Sequence, residues 1–149
     1  MDGIVTQAEA SGRTHLQKPP PGELSITVTT CHAGCYAAAD VQAKAIAVFT
    51  REGGTAFQTS RFRPKIPIVA FTQTDEMARR LALAWGVRPF KLGAKRGLHA
   101  LLRSLDRHML DKQLVRRGDI VVVLMKDELG EVLERTNLMR LHRVGSSLS

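Results

Sequence analysis

The sequence predicts one α/β domain of three layers, α/β/α, built on a mostly parallel sheet with helices on both faces and an antiparallel last strand. Three observations carry this. From Ala43 to Met125, short apolar runs rich in β-branched residues alternate with helical patterns, the signature of strand-helix-strand units joined by right-handed crossovers. The run Leu138 to Val144 follows with no helical pattern before it, so it returns beside its predecessor in the opposite sense. A length of 149 residues at 44% hydrophobic content suffices for one core and not for two comfortable ones.

Each element has its own local reason. Met1 to Ala10 is a short amphipathic segment with Ile4 and Ala8 on one side, and residues 11–24 form a linker that ends in Pro19-Pro20-Pro21-Gly22. Ser25 to Gln42 carries many small residues (Ala33, Gly34, Ala37, Ala38, Ala39) and no proline, which predicts a helix packed closely on a flat surface. Ala43 to Thr50 is a buried strand ending at a Gly-Gly turn, Gly53 to Phe62 a short helix, and Ile66 to Thr72 a second strand that tolerates Pro67 near its start. Thr74 caps a helix over Asp75 to Trp85, with Asp75 and Glu76 in its first turn and Met77, Leu81 and Trp85 on one face. Arg88 to Leu92 is a short strand. Arg96 to Val115 is the clearest amphipathic helix, with Leu98, Leu101, Leu102, Leu105 and Met109 on one stripe and Arg103, Arg107 and Asp111 opposite. Asp119 to Met125 is the most strand-like segment, and Leu138 to Val144, alternating Met139 and Leu141 with Arg140 and His142, suits a half-exposed edge strand.

Composition excludes several classes. The longest apolar runs fall well short of the roughly 20 residues that cross a bilayer, and no leader pattern opens the chain. Cys31 and Cys35 are too few for a disulfide framework and sit in poor geometry for a bridge, so reduced thiols and a cytoplasmic location are expected. The net charge of +8 is concentrated between Arg88 and Arg117, where nine Lys or Arg face only Asp106 and Asp111. One Trp and one Tyr in the whole chain leave that stretch without stacking platforms, so it reads as a solvated helix face and not as a nucleic-acid interface.

In a parallel sheet, ligands bind beyond the carboxyl ends of the strands. The candidate site is therefore the turn Thr50, Arg51, Glu52, Gly53, Gly54, Thr55, which offers two hydroxyls, a guanidinium, a tight glycine turn and the N–H groups of a helix start: the ingredients of a phosphate cradle. Glu52 works against it, because a carboxylate at the mouth of a cradle repels anions. Cys31, His32 and Cys35 lack a second ligand pair for zinc and read as buried residues on a helix. His99 and His108 have no nucleophile or paired carboxylate placed beside them and read as surface histidines. Asp127, Glu128, Glu131 and Glu134 lack the spacing of a calcium loop. No catalytic residue and no metal site is expected.

The stretch AKAIAVFTREGGTAFQTSRFRPKIPIVAFTQTDEMARRLALAWGVRPF resembles the C-terminal domain of pyruvate kinase, with Phe62-Arg63-Pro64 and Gly86-Val87-Arg88-Pro89 as landmarks. Gly118-Asp119 and Thr136-Asn137 continue the match, so that it covers about residues 25 to 145, and Met1 to Ala10 resembles the end of the last helix of the family's catalytic barrel. The resemblance implies a five-stranded mixed sheet and a homotetrameric glycolytic enzyme that moves phosphate from phosphoenolpyruvate to ADP. It also implies that the catalytic residues, with the magnesium and potassium they bind, belong to the barrel. This chain is then expected to hold no cofactor and to be inactive alone, serving assembly as a homo-oligomer and binding a phosphorylated effector.

Carried over by position, Thr50, Gly53 and Thr55 match the family's effector-phosphate loop, whereas Glu52 stands where a Ser is usual and Gly54 where an Arg or Lys is common. A second effector loop, glycine-rich in enzymes that bind fructose 1,6-bisphosphate, is here the acidic Asp127 to Glu134. The domain is thus expected either to bind a sugar monophosphate or nucleotide monophosphate weakly or to have lost effector binding and serve assembly alone. The alternative is a free-standing α/β module that binds a phosphorylated metabolite or nucleic acid.

Overall fold

Helix α1 (Ile26–Asp40) opens the domain in a computed structural model that describes residue 16 and residues 25–93, 97–126 and 138–146. Its start is fixed by Ser25, whose Oγ accepts the Val28 N–H at 3.0 Å. The chain then runs through β1 (Ala45–Phe49), α2 (Gly54–Arg61), β2 (Ile68–Thr72), α3 (Asp75–Leu81), β3 (Val87–Lys91), α4 (Leu98–Asp111), β4 (Ile120–Met125) and β5 (Leu138–Arg143). Residues 1–15 and 17–24, which hold most of the predicted barrel remnant and linker, lie outside the described residues, as does the acidic loop 127–134. Leu16, within the predicted linker, is buried and belongs to the core cluster on the α1 side of the sheet.

The sheet order is β3-β2-β1-β4-β5. All pairs are parallel except β4 with β5, which is antiparallel in the register Val121↔His142 and Val123↔Arg140. The predicted five-stranded, three-layer α/β/α architecture is therefore what the chain adopts. Each central strand alternates its side chains between two cores, which is why β1, β2 and β4 read as continuous apolar runs. Ile46, Val48, Ile68, Ala70, Val122 and Leu124 face α1, α2 and α3; Ala45, Ala47, Val69, Phe71, Val121 and Val123 face α4. The chain steps outward from β1 to β3 and then crosses to the other side of β1. That reversal makes the carboxyl end of β1 the switch point where a ligand crevice opens.

Helix α1 is seated as closely as its small residues suggest. Cys31, Gly34, Cys35 and Ala38 are buried, and a Cβ on Gly34 would lie 2.9 Å from Leu124 Cδ2.

Three expectations need correction. Helix α3 ends at Leu81 and not at Trp85: its last turn tightens as the Leu83 and Ala84 N–H groups bond three residues back to Arg80 and Leu81. Trp85 leaves the core face and stands 46% exposed, its carbonyl held by Ser60 Oγ at 2.5 Å and its ring under the Arg63 guanidinium. Strand β5 is the predicted edge strand, but its faces are reversed. Met139 and Leu141 are exposed and His142 is buried, because pairing with Val121 places His142 over the α4 core. His108 is half-buried and not fully exposed, because its ring packs against Phe71 and Phe90. His99 is exposed, as expected.

Candidate functional site

The turn after β1 is built by two backbone requirements. The Thr50 N–H donates to the Phe71 carbonyl at 3.0 Å, which keeps the chain in the sheet for one residue beyond β1. Thr50 Oγ1 then accepts the Gly53 N–H at 2.8 Å and closes the turn. Gly53 sits at φ 89°, in the left-handed region, and caps α2 without a side-chain hydrogen bond. A Cβ there would lie 2.9 Å from the Phe57 ring and 3.0 Å from Met77 Sδ, so this glycine is required by both conformation and space. Gly54 is different. It needs no positive φ, and a Cβ there would meet nothing within 4 Å. The turn is therefore tight because of Gly53 alone.

The predicted site residues are brought together at one sheet end with unequal exposure. Arg51, Glu52 and Gly54 are exposed, Thr50 is half-buried, and Gly53 and Thr55 are buried. Thr55 lies in the first turn of α2, and its carbonyl accepts from Thr59 Oγ1 at 2.7 Å and from Cys31 Sγ at 3.8 Å. What faces solvent is the start of α2, with the positive end of the helix and the exposed Arg51 and Glu52 side chains before it. The N–H groups of a helix start are the kind of donor an anion can accept from, and Glu52 opposes that charge.

Cys31 and Cys35 are buried in α1, with His32 half-buried beside them. Burial pushes the Cys31 thiol up to about 11 and the Cys35 thiol up to about 12, with Cys31 adding to the latter, so both remain protonated and unsuited to metal binding. His32 packs on Tyr36 and Phe62, and burial lowers its pKa. Among the described residues no three His, Cys, Asp or Glu converge on a metal site. No helix there is long and apolar enough to cross a membrane.

One buried polar pair joins residues far apart in the sequence. Asp106, on the buried stripe of α4, meets His142 Nε2 at 2.8 Å through Oδ1 and accepts the Gly145 N–H at 3.0 Å through Oδ2. The available signal was an acid placed next to Leu105 on an apolar face.

A five-stranded sheet in this order, with a Thr-x-x-Gly-x-Thr turn at its switch point, can be compared with known proteins. The family model described as the pyruvate kinase alpha/beta domain matches residues 28–142. The chain belongs to that family. Pyruvate kinase of Mycobacterium tuberculosis is 31% identical over 136 residues, covering 89% of this chain and 26% of the relative. Pyruvate kinase of Clostridium acetobutylicum is 42% identical over 92 residues, covering 60% of this chain and 19% of the relative. Among solved structures, a Cryptosporidium parvum pyruvate kinase superposes with a TM-score of 0.71 at 26% identity over 85% of this chain, and the same organism's enzyme in complex with ADP with 0.75 at 26% over 84%. The pyruvate kinase relatives are much longer: this chain spans about a quarter of the Mycobacterium sequence and of each of these structures.

Proposed function

We propose that this pyruvate kinase domain serves subunit assembly, and that its Thr50–Thr55 turn takes a single phosphate weakly without catalysing phosphate transfer. The observation that carries the reading is the outer edge of β5, which pairs with no further strand among the described residues. Edge strands are pairing templates unless they are blocked. The opposite edge is blocked by Pro89 in the middle of β3, which removes a donor there. Strand β5 has six residues and no proline, and it exposes Met139 at 40% and Leu141 at 49% on the sheet face that α1 covers. A second copy of the chain pairing at that edge would bury both side chains and complete the ladder.

The phosphate reading rests on the loop chemistry: a helix start, the Arg51 guanidinium and the Thr50 turn, opposed by Glu52. This balance suits a sugar or nucleotide monophosphate and not a bisphosphate. The enzyme reaction of the relatives, phosphoenolpyruvate and ADP to pyruvate and ATP, then belongs to a whole protein of which this chain is the glycolytic enzyme's assembly and effector part.

Sedimentation velocity on the chain tests assembly: it self-associates, and Leu141→Lys abolishes association. A wild-type chain that is monomeric at high concentration refutes the reading. Calorimetry with ribose 5-phosphate, AMP and fructose 1,6-bisphosphate tests the turn, and tight bisphosphate binding overturns the monophosphate preference. A phosphotransfer assay on the isolated chain is expected to show no turnover.

A further inference from the structure

We propose that Asp106 and His142 form a latch that fixes the edge strand β5 onto helix α4, making both of them positioning residues for the assembly edge. The latch stands on geometry alone; its link to assembly rests on the reading of β5 given above.

A carboxylate and an imidazole taken out of water are costly unless each finds a partner. Here both find one. The side chain of His142 is 1% exposed and that of Asp106 12% exposed, and both Asp106 oxygens are used, one by His142 Nε2 and the other by the Gly145 N–H. Because a carboxylate only accepts, the ring carries a proton on Nε2. The residues joined are 36 and 39 positions apart, so the contact ties a helix on one layer to the last strand of the sheet and to the turn beyond it.

The position of the pair explains why it matters. Of the six residues of β5, His142 alone is buried; Leu138 is half-buried and the other four are exposed. An edge strand with one buried side chain is held by its ladder to β4 on one side and by very little packing. The latch supplies what packing does not. It also acts beside the start of β4, where the Arg143 guanidinium donates to the Gly118 carbonyl at 2.8 Å and the Val144 N–H to the Asp119 carbonyl at 2.8 Å. An apolar residue at 142 would bury as well, yet it would leave Asp106 unpaired and the Gly145 N–H bonded to a lone buried charge.

Native-state amide exchange, read strand by strand on the whole chain, tests the latch. Asp106→Ala and His142→Ala are expected to speed exchange in β5 and at Gly145 about tenfold more than in β1 and β2, the scale of a local opening. The double variant is expected to be no worse than the worse single one, because neither the imidazole nor the carboxylate is then left buried without the other, and the Gly145 N–H bond is lost equally in Asp106→Ala. Nitrogen chemical shifts of the His142 ring should report a proton on Nε2. Uniform acceleration across the sheet, additive single effects, or a ring protonated only on Nδ1 overturns the proposal. If the alanine variants do not fold, Asp106→Asn and His142→Gln decide by the same strand-by-strand comparison. Sedimentation of the same variants separates the two readings. A loosened β5 with unchanged association refutes the link to assembly, while a monomeric wild type refutes assembly and leaves the exchange result to judge the latch.

Discussion

Replacing Gly34 by alanine tests how closely α1 lies on the sheet. On an exposed helix the change would stabilise by about 0.8–1 kcal/mol, since glycine is the poorer helix former. Here the new Cβ would stand 2.9 Å from Leu124 Cδ2 and 3.2 Å from Cδ1, against a comfortable carbon–carbon separation of about 3.5–4.0 Å. Leu124 is fully buried on a central strand, so its methyls have nowhere to go without displacing neighbours. Overpacking of this kind costs about 1–3 kcal/mol. The steric effect wins, and Gly34→Ala should lower the unfolding free energy by about 1 kcal/mol net. Chemical denaturation measures it. The double variant with Leu124→Ala removes the clashing atoms, so the two changes should be less harmful together than their sum, with a coupling of about 1 kcal/mol. A stabilised Gly34→Ala variant, or strict additivity in the cycle, would show that α1 does not sit where the geometry puts it.

Further outcomes follow from backbone and burial. Helices α1 and α4 end in left-handed turns at Gln42 (φ 53°) and Gln113 (φ 57°), where the Ala43 and Leu114 N–H groups reach back to Ala38 and Met109. Gln42→Gly and Gln113→Gly should each raise stability by about 0.5–1 kcal/mol in denaturant titrations, because the left-handed conformation is strained for residues with a Cβ. Gly53→Ala should do the reverse, losing about 1–2 kcal/mol or more, and should also weaken phosphate binding in calorimetry by displacing the α2 start. His32 and His108 have pKa values lowered from 6.5, by burial first and for His108 also by Lys112. The folded state therefore resists protonation, and stability is full above pH 6.5 and falls as pH drops through that value toward the lowered one. Thermal unfolding between pH 7 and 5.5 should show this decline, and His32→Leu combined with His108→Leu should flatten it.

How much of this was readable beforehand depended on whether neighbours in sequence decide the outcome. Strands β1, β2 and β4 were legible because each is buried on both faces, so composition alone marks them. Capping at Ser25 and Thr74 was local too: Thr74 Oγ1 accepts the Met77 N–H at 3.2 Å, a contact three residues long. The Thr50–Thr55 turn could be located at a strand end from its hydroxyls and glycines. Which of the two glycines is indispensable could not, since the answer lies in Phe57 and Met77 packing against Gly53.

The chain's own residues thus determined the class of the fold, the order of its elements and the place of the candidate phosphate turn, because periodicity, caps and turn chemistry act over a few positions. Only the tertiary structure decided that β5 turns His142 inward and Met139 and Leu141 outward, that Trp85 leaves the core, and that Asp106 has a partner. Strand register is set by pairing with β4, and a shift of one residue exchanges the two faces of a strand. The partner of a buried charge is likewise chosen by contacts that arise only when residues 36 positions apart meet.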